Sequence, residues 1–197
     1  MAKKTQSFTS DFAFYEALWR FYSKNRGKIR SRYNNLTKKL LAYNDPSERP
    51  GSFLRQPQFE ALEMYVFIKE FLSNQQVYEI FDDWRNLKGK FSERSYYSLT
   101  EGGQQLLTDA ATETQTDSLF KQMRKYNEPY PNYIYALTMG LGKTILMATC
   151  IFYEFLLANK YPKDERFVHN ALVFAPDKTV LQSLREIVTF EKTLVVP

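Results

Sequence analysis

The stretch Tyr133-Ile-Tyr-Ala-Leu-Thr-Met-Gly-Leu-Gly-Lys-Thr144, with the apolar run from Ile145 to Leu157 behind it, constrains this chain more than any other. Tyr133 to Leu137 is short, apolar and bounded by Pro131 and Gly140, which predicts a buried strand. Gly140-Leu141-Gly142-Lys143-Thr144 comes next, and then apolar side chains at helical spacing. A strand, a glycine turn, Lys-Thr and a helix, in that order, are what a phosphate-binding loop requires. Glycines let successive backbone N–H groups face an anion, and the helix adds its positive N-terminal end. Met139, Gly140, Leu141, Gly142, Lys143 and Thr144 are therefore the candidate nucleotide ligands. Lys143 is placed to reach the β- and γ-phosphates, and the Thr144 hydroxyl to hold Mg²⁺. Where the usual pattern has its first glycine, six residues before the lysine, this chain has Leu137.

The chain as a whole has 197 residues, 44% apolar and 16% aromatic, which is enough for a substantial core. No apolar window approaches a membrane span, and the start lacks the apolar core of a signal peptide, so the expected setting is cytoplasmic with no membrane contact. Cys150 is the single cysteine and His169 the single histidine, which excludes an internal disulfide and any His-based metal cluster. The net charge of +5 is uneven: residues 1–39 carry ten Lys/Arg against Asp11 and Glu16. Arg20, Lys24, Arg26, Lys28, Arg30, Arg32, Lys38 and Lys39 form a run without an acid, suited to nucleic-acid phosphates, to an acidic partner protein or simply to solvent.

Ser10-Asp11 reads as a helix cap, with Phe12, Tyr15, Leu18, Trp19 and Tyr22 as the apolar face behind it and Gly27 as a break. Asn44 to Gly51 is a turn-rich linker, so residues 1–50 are expected to form a basic helical region and 51–197 a second domain. Pro57 opens a long helix whose buried stripe is Phe59, Leu62, Val66, Phe67 and Phe71. Residues 73–130 read as a mostly helical insertion, including a helix from Asn74 to Leu87 and others over Gln104 to Ala111 and Thr116 to Tyr126. A strand is expected at Asn170 to Ala175, then a capped helix, and the start of another strand at Thr193 to Pro197.

The order Leu-Arg-x-x-Gln-x-Glu-Ala around Gln58, the loop Thr-Met-Gly-Leu-Gly-Lys-Thr and the strand end Ala175-Pro176-Asp177-Lys178 together resemble the glutamine motif, P-loop and motif Ia of superfamily 2 DEAD/DEAH-like helicases and translocases. Within that superfamily the chain is most similar to the R subunits of type III restriction enzymes. The resemblance implies an α/β fold: a partial RecA-like P-loop domain with a parallel sheet, preceded by a mostly helical N-terminal region. It implies that Gln58 hydrogen-bonds the adenine edge, and that Pro176, Asp177 and Lys178 lie on a nucleic-acid backbone. It also implies ATP and Mg²⁺ as cofactors, and double-stranded DNA and a modification or specificity subunit as partners.

No Asp-Glu-x-His and no second motor domain occur within the sequence, so by the resemblance the chain is the N-terminal portion of a DNA-dependent ATPase, inactive by itself. The alternative expectation is a non-catalytic nucleic-acid or partner-binding module that retains the loop. A kinase-like or GTPase-like P-loop protein is a third, disfavoured by the long helical front end.

Overall fold

The computed structural model describes residues 13–92, 118–174 and 182–197, apart from 119, 122, 126 and 183. Its regular structure is helical. Helix α1 is Ala13–Ser31, α2 Asn35–Asn44, α3 Gln56–Val66, α4 Val77–Arg85, α5 Lys143–Lys160 and α6 Glu186–Thr189. Helical residues also occur between 118 and 125. Among the described residues no helix is long and apolar enough to cross a membrane.

The chain divides into two compact units. The first holds the described residues up to Ile29 and those from Asn74 to Tyr133. Its core is aromatic. Phe14 meets Phe81 edge to face at 4.8 Å, Phe21 meets Phe91 at 5.1 Å, and Phe81 stacks on Phe120 at 5.7 Å. Ile80, Phe81 and Trp84 are the buried face of α4, as their helical spacing predicts.

The second unit holds Arg30–Ser73 and Ile134–Pro197 and is organised around α5, which packs against α3, α2 and α6. Asn34 caps α2 by accepting the Thr37 N–H at 2.9 Å. The stripe Phe59, Leu62, Val66, Phe67 and Phe71 is buried; beyond Val66 the helix widens into a π-helical turn, Phe67–Phe71, that carries Lys69 and Glu70. A buried arginine cluster stands beside α3, where Arg30 donates to Asp45 at 2.9 Å, to Glu63 at 2.5 Å and to Glu48 at 3.0 Å.

The expected α/β fold with a parallel RecA-like sheet is not what forms: among the described residues there is no strand. Tyr133 to Leu137 is irregular, with Ile134 96% exposed, and Asn170 to Phe174 is irregular with Leu172 and Phe174 79% and 81% exposed. The boundary between the two units falls between Tyr133 and Ile134, so the first of these runs is a connector. The Tyr133 hydroxyl donates to Asn74 in one unit, while Tyr135 lies against Tyr65 and Cys150 in the other. The two tyrosines thus have partners, each within its own unit, without any strand pairing.

The chain end differs in the same way: Lys192–Leu194 is a 3-10 turn, not a strand. It is held to α2 by Tyr43, whose hydroxyl donates to Thr193 O at 2.6 Å, and by Asn44, whose amide donates to Val195 O at 2.7 Å. Gly27 does not break α1, which runs on to Ser31. The cap expected at Ser10-Asp11, the helix at Gln104 to Ala111 and residue Ala175 lie outside the described residues.

Candidate nucleotide-binding site

The glycine loop folds as its residue types require. Gly140 has φ +77° and Gly142 φ +63°, both in the left-handed region where a side chain is strained. Gly142 is the N-cap of α5, an 18-residue helix, and with no side chain it leaves the first helical N–H groups uncapped. Lys143 is exposed, and its ammonium lies over the loop, donating to Thr138 O at 3.1 Å. Thr144 is half-buried in the first turn of α5.

Gln58 reaches this loop from 84 residues away. It is 2% exposed, its Nε2 donates to Gly142 O at 3.0 Å, and its Oε1 accepts the Arg55 N–H at 2.8 Å. Gly142 is also closely packed: a Cβ there would stand 2.7 Å from Gln58 Nε2 and 3.1 Å from Ile145 Cδ1. Farther along the same two helices, the Tyr65 hydroxyl donates to Glu154 Oε1 at 2.5 Å and Lys69 pairs with Glu154 at 3.1 Å. Because Gln58 meets the start of α5 and Tyr65 and Lys69 meet its third turn, the helices run in the same direction. Their N-termini therefore share one end, and the positive end of α5 lies at Lys143.

Behind the loop, α5 is anchored by buried polar contacts. Glu70 Oε1 accepts hydrogen bonds from the Thr37 and Tyr153 hydroxyls, the latter at 2.9 Å, and Oε2 accepts from the Asn34 amide at 3.1 Å. Burial pushes the Glu70 carboxyl above its ordinary range despite these donors, and burial next to Glu70 holds the Tyr153 hydroxyl protonated. Lys69, besides pairing with Glu154, donates to Arg166 O. Burial pushes the Cys150 thiol up to about 12, so it is an unreactive packing group.

The structure thus brings Gln58, Gly142, Lys143 and Thr144 into one place, with Met139 exposed and Leu141 half-buried on the same loop. Pro176, Asp177 and Lys178 lie outside the described residues. Sequence reasoning missed Arg55, whose backbone orients the Gln58 amide, and the Thr138 carbonyl that holds Lys143. It also missed the Tyr65–Lys69–Glu154 tie. Within the basic run, Arg30 is committed to buried carboxylates, whereas Arg20, Lys24 and Lys39 are exposed. No protein family model, characterised protein or solved structure matches the chain.

Proposed function

We propose that the loop from Thr138 to Thr144 binds the triphosphate of a nucleotide, ATP by the resemblance its residues carry. One observation supports this most: two left-handed glycines lead into an uncapped long helix, with an exposed lysine held over the turn. Those are the components that hold an anion: inward-facing N–H groups, a helix dipole and a mobile positive charge. Lys143 would leave Thr138 O for the phosphates, and the Thr144 hydroxyl would help hold a Mg²⁺ brought by the nucleotide. Among the described residues no group of three or more His, Cys, Asp or Glu side chains is arranged to hold a metal by itself. The site therefore suits a cation carried mainly by phosphate and water oxygens, as Mg²⁺ commonly is.

In this reading the chain is the ATP-binding part of a cytoplasmic DNA-dependent ATPase of a restriction-type system, with duplex DNA and a modification or specificity subunit as partners. A second reading is a non-catalytic binding module that keeps the loop, and it fits the helical regular structure around α5: among the described residues no strand presents a carboxylate opposite Lys143.

Titration calorimetry with Mg·ATP decides the core of the proposal. Binding is expected for the native chain and lost in Lys143→Ala; binding that survives the substitution overturns it. Turnover in the presence of duplex DNA separates the two readings, since the module binds without hydrolysing. For DNA itself, affinity should fall by about 0.7–0.9 log units per log unit of salt for each phosphate neutralised. Replacing Arg20, Lys24 and Lys39 by glutamine should flatten that slope; an unchanged slope removes the basic run from the interface.

A further inference from the structure

The geometry points to a site that selects its ligand by the triphosphate chain and is indifferent to the base, with Gln58 as the positioning residue of the loop. This rests on the triphosphate reading above and goes beyond it by naming what the site does not recognise. A glutamine amide discriminates adenine only if it can offer both a donor and an acceptor to the base edge. Here Oε1 accepts the Arg55 N–H, Nε2 donates to Gly142 O, and the residue is 2% exposed, so the amide is not presented to a base.

The side chain lies beneath the turn, 2% exposed, in space that exists only because residue 142 has no Cβ. Turning the amide out to a base would leave Gly142 O without this partner and open a gap at the helix start. Gly142 O already accepts the Leu146 N–H at 3.1 Å, so the Gln58 bond fixes the N-cap peptide from a second direction. The side chain best suited to reading adenine therefore holds the loop in shape instead, and its effect reaches the phosphates through the Lys143 and Thr144 N–H groups.

Two measurements test this, one with ligand and one without. Calorimetry compares Mg·ATP, Mg·GTP, Mg·CTP and Mg·tripolyphosphate on the native chain and on Gln58→Glu and Gln58→Met, both close to the native side chain in size. The native chain should bind the three nucleotides within about threefold of one another, and each variant should weaken all four ligands by a common factor of about ten. A strong preference for ATP that disappears in Gln58→Met, with tripolyphosphate unaffected, overturns the inference while leaving the triphosphate reading intact.

Amide hydrogen exchange on the ligand-free chain reads the positioning directly. The Leu146 N–H, bonded to Gly142 O, should exchange about tenfold faster in Gln58→Met, with residues 153–158 unchanged. Unaltered exchange at Leu146 removes Gln58 from its positioning role whatever the ligands do. Failure of the native chain to bind any of the four ligands refutes base indifference together with the triphosphate reading, and the exchange result then stands as a statement about the loop alone.

Discussion

Replacing Gly142 by alanine should cost distinctly more stability than replacing Gly140, although both glycines have positive φ. At Gly140, φ +77°, an added Cβ meets nothing within 4 Å, so the cost is the left-handed strain of a non-glycine residue, about 1 kcal/mol. At Gly142, φ +63°, the same strain applies, and the Cβ also lands 2.7 Å from Gln58 Nε2. Gln58 has to withdraw and give up its bond to Gly142 O, which adds about 1–2 kcal/mol for a buried pair. The expected totals are therefore about 1 kcal/mol for Gly140→Ala and about 2–3 kcal/mol for Gly142→Ala.

Urea unfolding followed by far-UV circular dichroism measures both. A double-mutant cycle isolates the cause: in a Gln58→Ala background, which vacates the space, the cost of Gly142→Ala should fall to that of Gly140→Ala. An equal cost for Gly142→Ala in both backgrounds would refute the reasoning, because the contact with Gln58 would then contribute nothing.

Three further outcomes follow from the packing around α5. Lys69→Met leaves Glu154 buried without its cation and should cost about 3–5 kcal/mol, while adding Glu154→Gln to it should recover much of the loss in a calorimetric melt. Glu70 has its folded titration raised above 4.5 by burial, so the folded chain keeps this proton where the unfolded chain has lost it. Its contribution to stability is full below that value and declines as pH rises through the folded titration. Glu70→Gln should abolish this pH-dependent component above the ordinary carboxylate value, and urea midpoints that fall with pH equally in both proteins would refute it. Arg30→Met strands the Asp45 and Glu63 carboxylates, both 1% exposed as side chains, and should destabilise by about 3–5 kcal/mol in urea unfolding, whereas Lys24→Gln on the surface should change little.

The helices were legible because their signal is local. In α3 the stripe Phe59, Leu62, Val66, Phe67 and Phe71 specifies both the helix and its buried face, and in α4 Ile80, Phe81 and Trp84 do the same. The strands were misread for the complementary reason. A short apolar run between Pro131 and Gly140 records a preference for extended backbone, but a sheet also needs a partner strand, which local pattern does not supply. Tyr133 to Leu137 satisfies the local condition and serves as a connector whose tyrosines anchor in different units. Its exposed Ile134, like Leu172 and Phe174, carries the residue types of a strand without the pairing.

For the candidate site, spelling revealed more than folding pattern did. The residues Gly140 to Thr144 indicated the turn and the helix start, and the resemblance around Gln58 singled out the one distant side chain that reaches Gly142. What no pattern at 84 residues' separation conveys is which way an amide points. Its direction follows from Arg55 ending the preceding loop in extended backbone, φ −78° and ψ 159°, with its N–H toward Gln58. A parallel sheet is one way to brace a glycine loop at a helix start; here a second helix lies beside the first in the same sense, fastened at Gln58 near the loop and at Tyr65 and Lys69 in the third turn. Anion binding depends on fixed N–H groups and on helix ends pointing the same way, and α3 braced against α5 provides both. The parallel direction of that pair, more than the glycine spelling, is what the proposed phosphate site depends on. Severing its far end with Glu154→Leu should loosen the loop far less than Gln58→Met does, as read by amide exchange at Leu146.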